Sequence, residues 1–544
     1  MKPLNVLWIS THDINPHLGC YAGVWPGAEY ATTPNLDALA AEGVRFDNAF
    51  AVAPVCAPSR SAIVTGCFPT AIGTMHMRSK AVPPPEVRLL PEYFREAGYY
   101  CTNNFFTDFQ VFTPGTTFDE CSPTAHWRNR TNADTPFFAA FHGMATHESR
   151  LYLDDEAFAA ATARVRPEER HDPAGAPLPP YYPDTPAFRK AWARYADAVT
   201  EVDHWVGEIL AQLEEDGLAD STIVVFWSDH GVGMPRAKRF AYESGLREPL
   251  IVRWPGVIEP GSAREDLVYL MDLAPTMLAA AGLPIPGHLH GRPLWGTDGG
   301  VPAEPRDVVV GARDRMDAAE DTSRTVRDSR FRYIRHFHPD RTLMQHQEYA
   351  DKFPTWKEFR RLASEEADQR GRGERPDRLT PLQRRFVAPS KPEEELYDIL
   401  SDPHETQNLA EDPAYAADLA RLRAVLAEWQ AQYSDLGMVP EDELAEAWRP
   451  GGEWLVTEEP IVSVREGWVE ARCATEGASV GWTTTPPRPI AEPSPLAVVT
   501  GDPVQDDRGW KLYAKPFEAP KDTTLYFRAW RLGYAPSPER TLNT

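Results

Sequence analysis

Three short stretches bring together residue types that can do chemistry. Val55-Cys56-Ala57-Pro58-Ser59-Arg60 sets a cysteine just ahead of a proline suited to the first turn of a helix. A nucleophile there faces the positive end of the helix dipole and its free N–H groups. Arg60 shares a face with Cys56 if the helix starts early, and a cation beside a nucleophile stabilises its anion. His12-Asp13 and Asp229-His230 each set an imidazole beside a carboxylate, donor types of a divalent metal site. Each has an ordinary explanation when taken alone. A lone cysteine before a helix is more often buried structure, and an Asp-His pair is more often a strand-end turn.

Both pairs follow strands. Asn5–Ser10 reads as a buried strand ahead of His12, and Thr222–Trp227 is β-branched, apolar and strand-length ahead of Asp229. Ligands of parallel sheets bind beyond the carboxyl ends of strands, so the two pairs can meet in one crevice. Further strands are expected at Phe46–Val52, Tyr99–Thr102, Phe137–Phe141 and Leu250–Val252. Helices are expected after Thr33-Pro34-Asn35, with Leu36, Leu39 and Ala40 inward and Gly43 as the stop, and at Pro91–Ala97, 187–214 and Asp272–Ala281. The 187–214 helix carries one apolar stripe, Val199, Val202, Val206, Ile209 and Leu213. This alternation implies an α/β fold whose parallel sheet is covered on both faces.

The later chain differs. Phe331–His336 reads as a strand, and the charged run 355–386 as a solvated helix and loop. Pro413–Tyr433 reads as a helix capped by Asp412, with Leu419, Leu422, Leu426 and Trp429 on one face. From about residue 450 the pattern is all-β, with strands at Ile461–Val464, Trp468–Ala471, Leu496–Thr500, Trp510–Ala514 and Thr524–Trp530. Trp454, Trp468, Trp482, Trp510 and Trp530 suit a small sandwich core or an interface. Three domains are expected: a catalytic α/β domain over 1–340, a smaller α+β subdomain over 341–449, and a β-sandwich accessory module over 450–544, a route to a homo-oligomer.

Composition narrows the function. The chain has 544 residues, 42% of them hydrophobic, enough for a sizeable core. Acids outnumber bases 80 to 56, and a net charge of −24 disfavours nucleic acid and anionic lipid as partners. No apolar run approaches the roughly 20 residues of a membrane span, and no secretory leader is visible. The six cysteines are sparse and match neither a disulfide framework nor a zinc pattern, so a cytoplasmic chain is expected.

The run Cys56-Ala57-Pro58-Ser59-Arg60 with Thr65-Gly66 resembles the signature of the type I sulfatases of the alkaline phosphatase superfamily. Further segments occur in the order sulfatases show. They are Thr33 to Phe46, Trp227-Ser-Asp-His-Gly231, Pro249 to Gly256, Asp272-Leu-Ala-Pro-Thr276 and Glu395-Leu-Tyr-Asp-Ile399. His76-Met-Arg78, Thr146-His-Glu-Ser149 and Lys238-Arg239 look most like bacterial relatives of heparan N-sulfatase. The resemblance implies an alkaline-phosphatase-like mixed sheet sandwiched by helices. It implies that Cys56 is oxidised to formylglycine by a separate formylglycine-generating enzyme, and that the hydrated aldehyde is the nucleophile. It implies one divalent metal, calcium in the family, held by Asp13, Asp229, His230 and the oxygen at position 56. By the same resemblance Arg60 and Lys238 bind the sulfate, His147 or Lys238 protonates the leaving group, and Asp108 or another base completes turnover. The accessory module weakly resembles the small immunoglobulin-like domain of chitobiase-type hydrolases.

Two departures bear on the substrate. His12 stands where an acidic residue is usual, and a second imidazole turns the metal preference toward manganese or zinc. Phe106 stands where a lysine is expected, with Thr107 and Asp108 beside it. The leading expectation is a hydrolase of a small-molecule or saccharide sulfate ester, or of a sulfamate. The alternatives are a formylglycine-dependent phosphonate monoester or phosphodiester hydrolase, with Thr107 as the hydroxyl-bearing residue, and a non-catalytic anion-binding member.

Overall fold

The computed structural model describes residues 4–296, 304–487 and 508–544. Its central sheet has eight strands: β1 (Asn5–Thr11), β2 (Val44–Phe50), β3 (Tyr100–Asn104), β4 (Glu120–Cys121), β5 (Phe137–Gly143), β6 (Thr222–Ser228), β7 (Arg247–Arg253) and β8 (Ser262–Tyr269). They lie in the order β4-β3-β5-β1-β6-β7-β2-β8. β4, β3, β5, β1 and β6 run parallel, while β7 is antiparallel to both β6 and β2. The alternation of strands and helices pointed to a parallel sheet, and the observed sheet is mixed. The reason is local. The β6–β7 connection spends its length on loops and a one-turn helix, Glu243–Leu246, rather than on a crossover helix.

Every residue of β1, β6 and β7 is buried, as expected for central strands covered on both faces. Side chains alternate between two cores. Val6, Trp8, Ile223 and Val225 join one, and Leu7, Ile9, Val224 and Phe226 join the other. The Pro186–Glu215 helix lays the stripe Val199, Val202, Val206, Ile209 and Leu213 on the second core. The Cys56–Thr65 helix covers the opposite face and is buried along its whole length.

A second, antiparallel sheet joins β9 (Val309–Arg313), β10 (Ser323–Arg327), β11 (Phe331–His336) and β12 (Glu394–Asp398) in the order β12-β11-β10-β9. Three of its strands precede residue 340 and one follows it, so the boundary expected there runs through a hydrogen-bonded sheet. The charged run 355–386 is not wholly solvated either. Within it the Pro354–Gly371 helix buries Trp356, Phe359 and Leu362 in the core and leaves only its charged face outside. The Ala416–Tyr433 helix buries Leu419, Leu422, Leu426 and Trp429 as its spacing predicts.

The last segment is a small sandwich. β13 (Ile461–Arg465), β14 (Trp468–Arg472), β15 (Ser479–Thr483), β16 (Lys511–Leu512), β17 (Phe517–Glu518), β18 (Thr524–Trp530) and β19 (Arg540–Asn543) form two antiparallel sheets, β13-β14-β17 and β16-β15-β18-β19. Val469, Val480, Leu525, Phe527 and Ala529 fill the space between them. The strand expected at Leu496–Thr500 lies outside the described residues. The tryptophans do not all serve this core. Trp468 is exposed, whereas Trp510 and Trp530 are buried edge to face, 5.0 Å apart, against Gly115. Arg95 donates to the Trp510 carbonyl at 2.8 Å, and Arg531 to that of Pro83 at 2.6 Å.

A Cβ on Gly115 would lie 2.9 Å from Trp530 and 3.1 Å from Trp510. Gly115→Ala is therefore expected to cost about 1–3 kcal/mol through overpacking and to lower the melting temperature by a few degrees. An unchanged melting temperature would show that the two indoles do not clamp this residue.

Candidate active site

β1 and β6 are neighbours, with Thr11 opposite Ser228, so the residues that follow them leave the sheet side by side. His12, Asp13, Asp229 and His230 thus meet at the carboxyl edge, all fully buried. Asp13 adopts a left-handed backbone, φ 54°, which turns the chain back over the strand end. Its amide donates to Asp229 Oδ1 at 3.2 Å, and its own Oδ2 accepts from the Glu148 amide at 2.8 Å. The expected helix carrying Cys56 and Arg60 is present at Cys56–Thr65 and starts at Cys56 itself. Ser59 Oγ donates to the Asp229 carbonyl at 2.5 Å and fastens this helix to the β6 end.

Cys56 Sγ is 3.1 Å from His230 Nε2. That nitrogen is 3.4 Å from Asp13 Oδ1 and 3.6 Å from Asp229 Oδ1. The donor atoms of His12, Asp13 and Cys56, and those of Cys56, Asp229 and His230, each lie within 4.8 Å of one another. His12 Nδ1 is 3.2 Å from Asp229 Oδ2, and its ring meets Phe106 at 4.7 Å and His147 at 5.5 Å, edge to face.

Arg60 is held by hydrogen bonds and by two aromatic rings. Nε donates to Asp229 Oδ2 at 2.9 Å and Nη2 to the Thr11 carbonyl at 3.2 Å, while Nη1 is 3.4 Å from His142 Nδ1. Its guanidinium carbon lies 5.0 Å from the Phe106 ring centroid and 5.5 Å from that of Trp227. Lys238 reaches the cluster from the loop after β6, with Nζ 3.0 Å from Asp13 Oδ2 and 3.0 Å from Glu148 Oε1. Arg239 grips Glu148 with both terminal nitrogens, at 2.7 and 2.8 Å. His147 caps the short Glu148–Leu151 helix, its Nδ1 2.8 Å from Ser149 Oγ. Asp108 lies outside this knot of hydrogen bonds, buried, with Oδ2 unpartnered.

Burial dominates the electrostatics, and the charges around each group decide the outcome. Burial and then Arg60 lower His12 to about 4, against the pull of Asp229. Burial lowers His230 to about 3 despite Asp229. Burial and then Lys238 hold His147 well below its ordinary value. The three imidazoles are therefore neutral. Burial alone would raise Asp229, but the Arg60 guanidinium and the hydrogen bond from His12 oppose it, and the carboxyl is held well below its usual range. Burial raises Asp13 to about 7, against Lys238. Burial also pushes the Cys56 thiol far up, Lys238 notwithstanding, and it raises Asp108.

This donor set suits a metal ion. Buried carboxylates and neutral imidazoles gather in two sets that share Cys56, His12 with Asp13 and Asp229 with His230, and metal-ligating histidine must be neutral.

Similarity to known proteins agrees with the geometry. A family model described as Sulfatase matches residues 5–283, and one described as N-sulphoglucosamine sulphohydrolase, C-terminal, matches residues 234–352. An ulvan-active sulfatase of Formosa agariphila is 36% identical, over 99% of this chain and 91% of its own length. The chain belongs to the sulfatase family. It is an enzyme, a hydrolase of sulfuric esters or sulfamates, and the family implies a metal ion and a formylglycine in this cluster. The non-catalytic reading is set aside with that relationship. Two solved structures share the fold. One is a protein in complex with its substrate D-glucosamine-2-N,6-O-disulfate, at TM-score 0.56 and 20% identity, covering 81% of this chain and all of that one. The other is a phosphonate monoester hydrolase from Silicibacter pomeroyi, at TM-score 0.56 and 19% identity, covering 87% and 99%. Among the described residues no helix is long and apolar enough to cross a membrane.

Reasoning from sequence missed Ser59, Glu148 and His142 as members of the cluster. His142 ends β5 as His12 and Asp229 end their strands, so the strand-end rule could have found it. Glu148 gave no such signal, because its partner Arg239 is 91 residues away.

Proposed function

We propose that this sulfatase removes a sulfate group from a saccharide, with a formylglycine made from Cys56 as the nucleophile. The observation that carries the reading is the place of Cys56. It starts a buried helix, with its sulfur 3.1 Å from His230 and both donor groups around it. The thiol there is a poor nucleophile, because burial holds it protonated. Oxidation to the aldehyde and hydration would supply a hydroxyl instead. Asp13, Asp229, His230 and His12 would hold the divalent cation, and its charge there would polarise the sulfuryl group and favour ionisation of the diol.

The chain's own residues supply the rest. Arg60, held in one plane by Asp229 and Thr11, directs its charge at the sulfuryl oxygens. Asp229 stays ionised beside the nucleophile and accepts its proton. Lys238, an ammonium between Asp13 and Glu148, adds positive charge on the other side and gives the leaving group its proton, while His147, neutral and with Nδ1 accepting from the Ser149 amide, offers Nε2–H as a hydrogen-bond donor at the rim. Asp108, buried and raised, is the candidate base for release of the enzyme-bound sulfate. A saccharide substrate is supported by the ulvan-active relative and the N-sulphoglucosamine sulphohydrolase match, and maturation needs a formylglycine-generating enzyme.

The test is a hydrolysis panel on protein produced together with that maturation enzyme. It contains saccharide sulfate esters, sulfamates, phosphodiesters and phosphonate monoesters. Release of sulfate from a saccharide, fastest in the panel, is expected. Faster release from a phosphonate monoester would contradict the reading and favour Thr107 as part of a different substrate pocket.

His12 sets the metal. Two imidazoles favour manganese or zinc over the calcium of the family. After chelation, manganese or zinc is expected to restore turnover better than calcium, and His12→Ala to reverse that order. Full restoration by calcium alone, unaffected by His12→Ala, would make His12 a bystander.

A further inference from the structure

His142 is half-buried near the end of β5 and has a contact on each ring nitrogen. Nε2 is 2.6 Å from Asn103 Oδ1. Nδ1 meets the Ser10 hydroxyl and lies 3.4 Å from Arg60 Nη1. Two independent facts fix its tautomer. The Asn103 amide nitrogen faces the Cys121 sulfur at 3.3 Å and the Phe106 carbonyl at 3.5 Å, so the amide oxygen is the group turned to His142. It can only accept, which puts the imidazole proton on Nε2. Arg60 can only donate, which requires an unprotonated Nδ1, whose lone pair also accepts from the closer Ser10 hydroxyl.

We propose that His142 is a positioning residue for the sulfatase reaction: its Nδ1 lone pair, aimed by Asn103, holds the Arg60 guanidinium in the orientation that meets the substrate's sulfuryl oxygens. Arg60 is also tied by Asp229 at Nε and, at Nη2, by the Thr11 carbonyl and the His12 ring at 3.1 Å, and His142 is the contact at Nη1. The same Asn103 amide touches Phe106, whose ring covers one face of Arg60. Asn103, His142 and Phe106 thus form one bracket around the cation. The arrangement works only with a neutral imidazole, since a second proton on Nδ1 would point at the Arg60 N–H. Burial and then the Arg60 charge keep His142 neutral, against Asp229. The imidazole also borders a cavity of about 290 Å3, where Arg150, Arg164 and Glu201 are the other charged groups, so solvent protons have a route to it.

The inference rests on the proposed role of Arg60, and wild-type sulfate release with its loss in Cys56→Ala tests that reading separately. His142→Leu is expected to lower kcat by about 10- to 100-fold, with a much smaller change in KM. His142→Asn, whose side-chain oxygen takes the place of Nδ1, is expected to recover most of that loss, and His142→Gln, which mimics Nε2, is not. Asn103→Asp puts a carboxylate against Nε2–H and favours the imidazolium. It should move the acid limb of the kcat/KM profile to higher pH, and the double variant Asn103→Asp with His142→Asn should lose that shift. Wild-type kcat in folded His142→Leu, equal recovery by Asn and Gln, or a shift that survives in the double variant would overturn the proposal. Should Asn103→Asp fail to fold, the Asn and Gln pair at position 142 still decides it.

Discussion

Alanine in place of Cys56 is expected to abolish turnover, with kcat falling by on the order of 10^5-fold or more, the scale seen when a nucleophile is removed. A methyl group there can neither be oxidised nor carry a hydroxyl to the sulfur of the substrate. The fold should survive. Residue 56 starts its helix, and alanine fits a helix better than cysteine. The buried cluster loses one sulfur atom and no charge, because the thiol is protonated. Steady-state kinetics with a thermal melt separate the two effects. A Cys56→Ala protein with wild-type turnover would end the covalent mechanism, and a variant that loses both activity and fold would show that the sulfur is structural.

Asp229→Asn is expected to have the second largest effect, on both activity and stability. This carboxylate accepts from Arg60 Nε at 2.9 Å and from the Asp13 amide at 3.2 Å, and it lies 3.2 Å from His12 Nδ1. The amide keeps the shape and removes the charge. Arg60 is then a buried cation without its carboxylate, a change that costs about 3–5 kcal/mol when one partner of a buried pair is lost. The metal site loses a ligand and the nucleophile its proton acceptor, so kcat should fall by on the order of a thousandfold or more. The melting temperature should drop by several degrees. Activity within tenfold of the wild type would remove Asp229 from the mechanism.

The sequence was most legible where the chemistry is local. Cys56 to Arg60 lie within one turn of helix, and His12-Asp13 and Asp229-His230 directly follow strands whose apolar runs are unmistakable, so periodicity and the strand-end rule located them. It was least legible where partners are distant. The Glu148–Arg239 pair and the Asn103–His142–Arg60 bracket join segments tens of residues apart, and no spacing announces them. Strand direction was also hidden. β7 reads as a buried apolar strand whichever way it runs, and only the lack of a crossover helix before it tells that it returns antiparallel. The short strands Ser479–Thr483 and Phe517–Glu518 escaped notice because Gly481 interrupts one and the other is two residues long. The charge run at 355–386 misled because composition averages over a helix whose two faces differ, with Trp356 and Phe359 inside and, Glu366 apart, the acids and bases outside.

The chemical state of residue 56 in active enzyme is the most direct test of the formylglycine mechanism. Tryptic cleavage after Arg45 and Arg60 isolates the peptide that carries it. Protein that releases sulfate is predicted to yield this peptide with one sulfur and two hydrogens lost and one oxygen gained, the change from cysteine to formylglycine. The converted fraction should track specific activity across preparations made with and without the maturation enzyme. Fully active protein whose peptide retains the intact thiol would contradict the account.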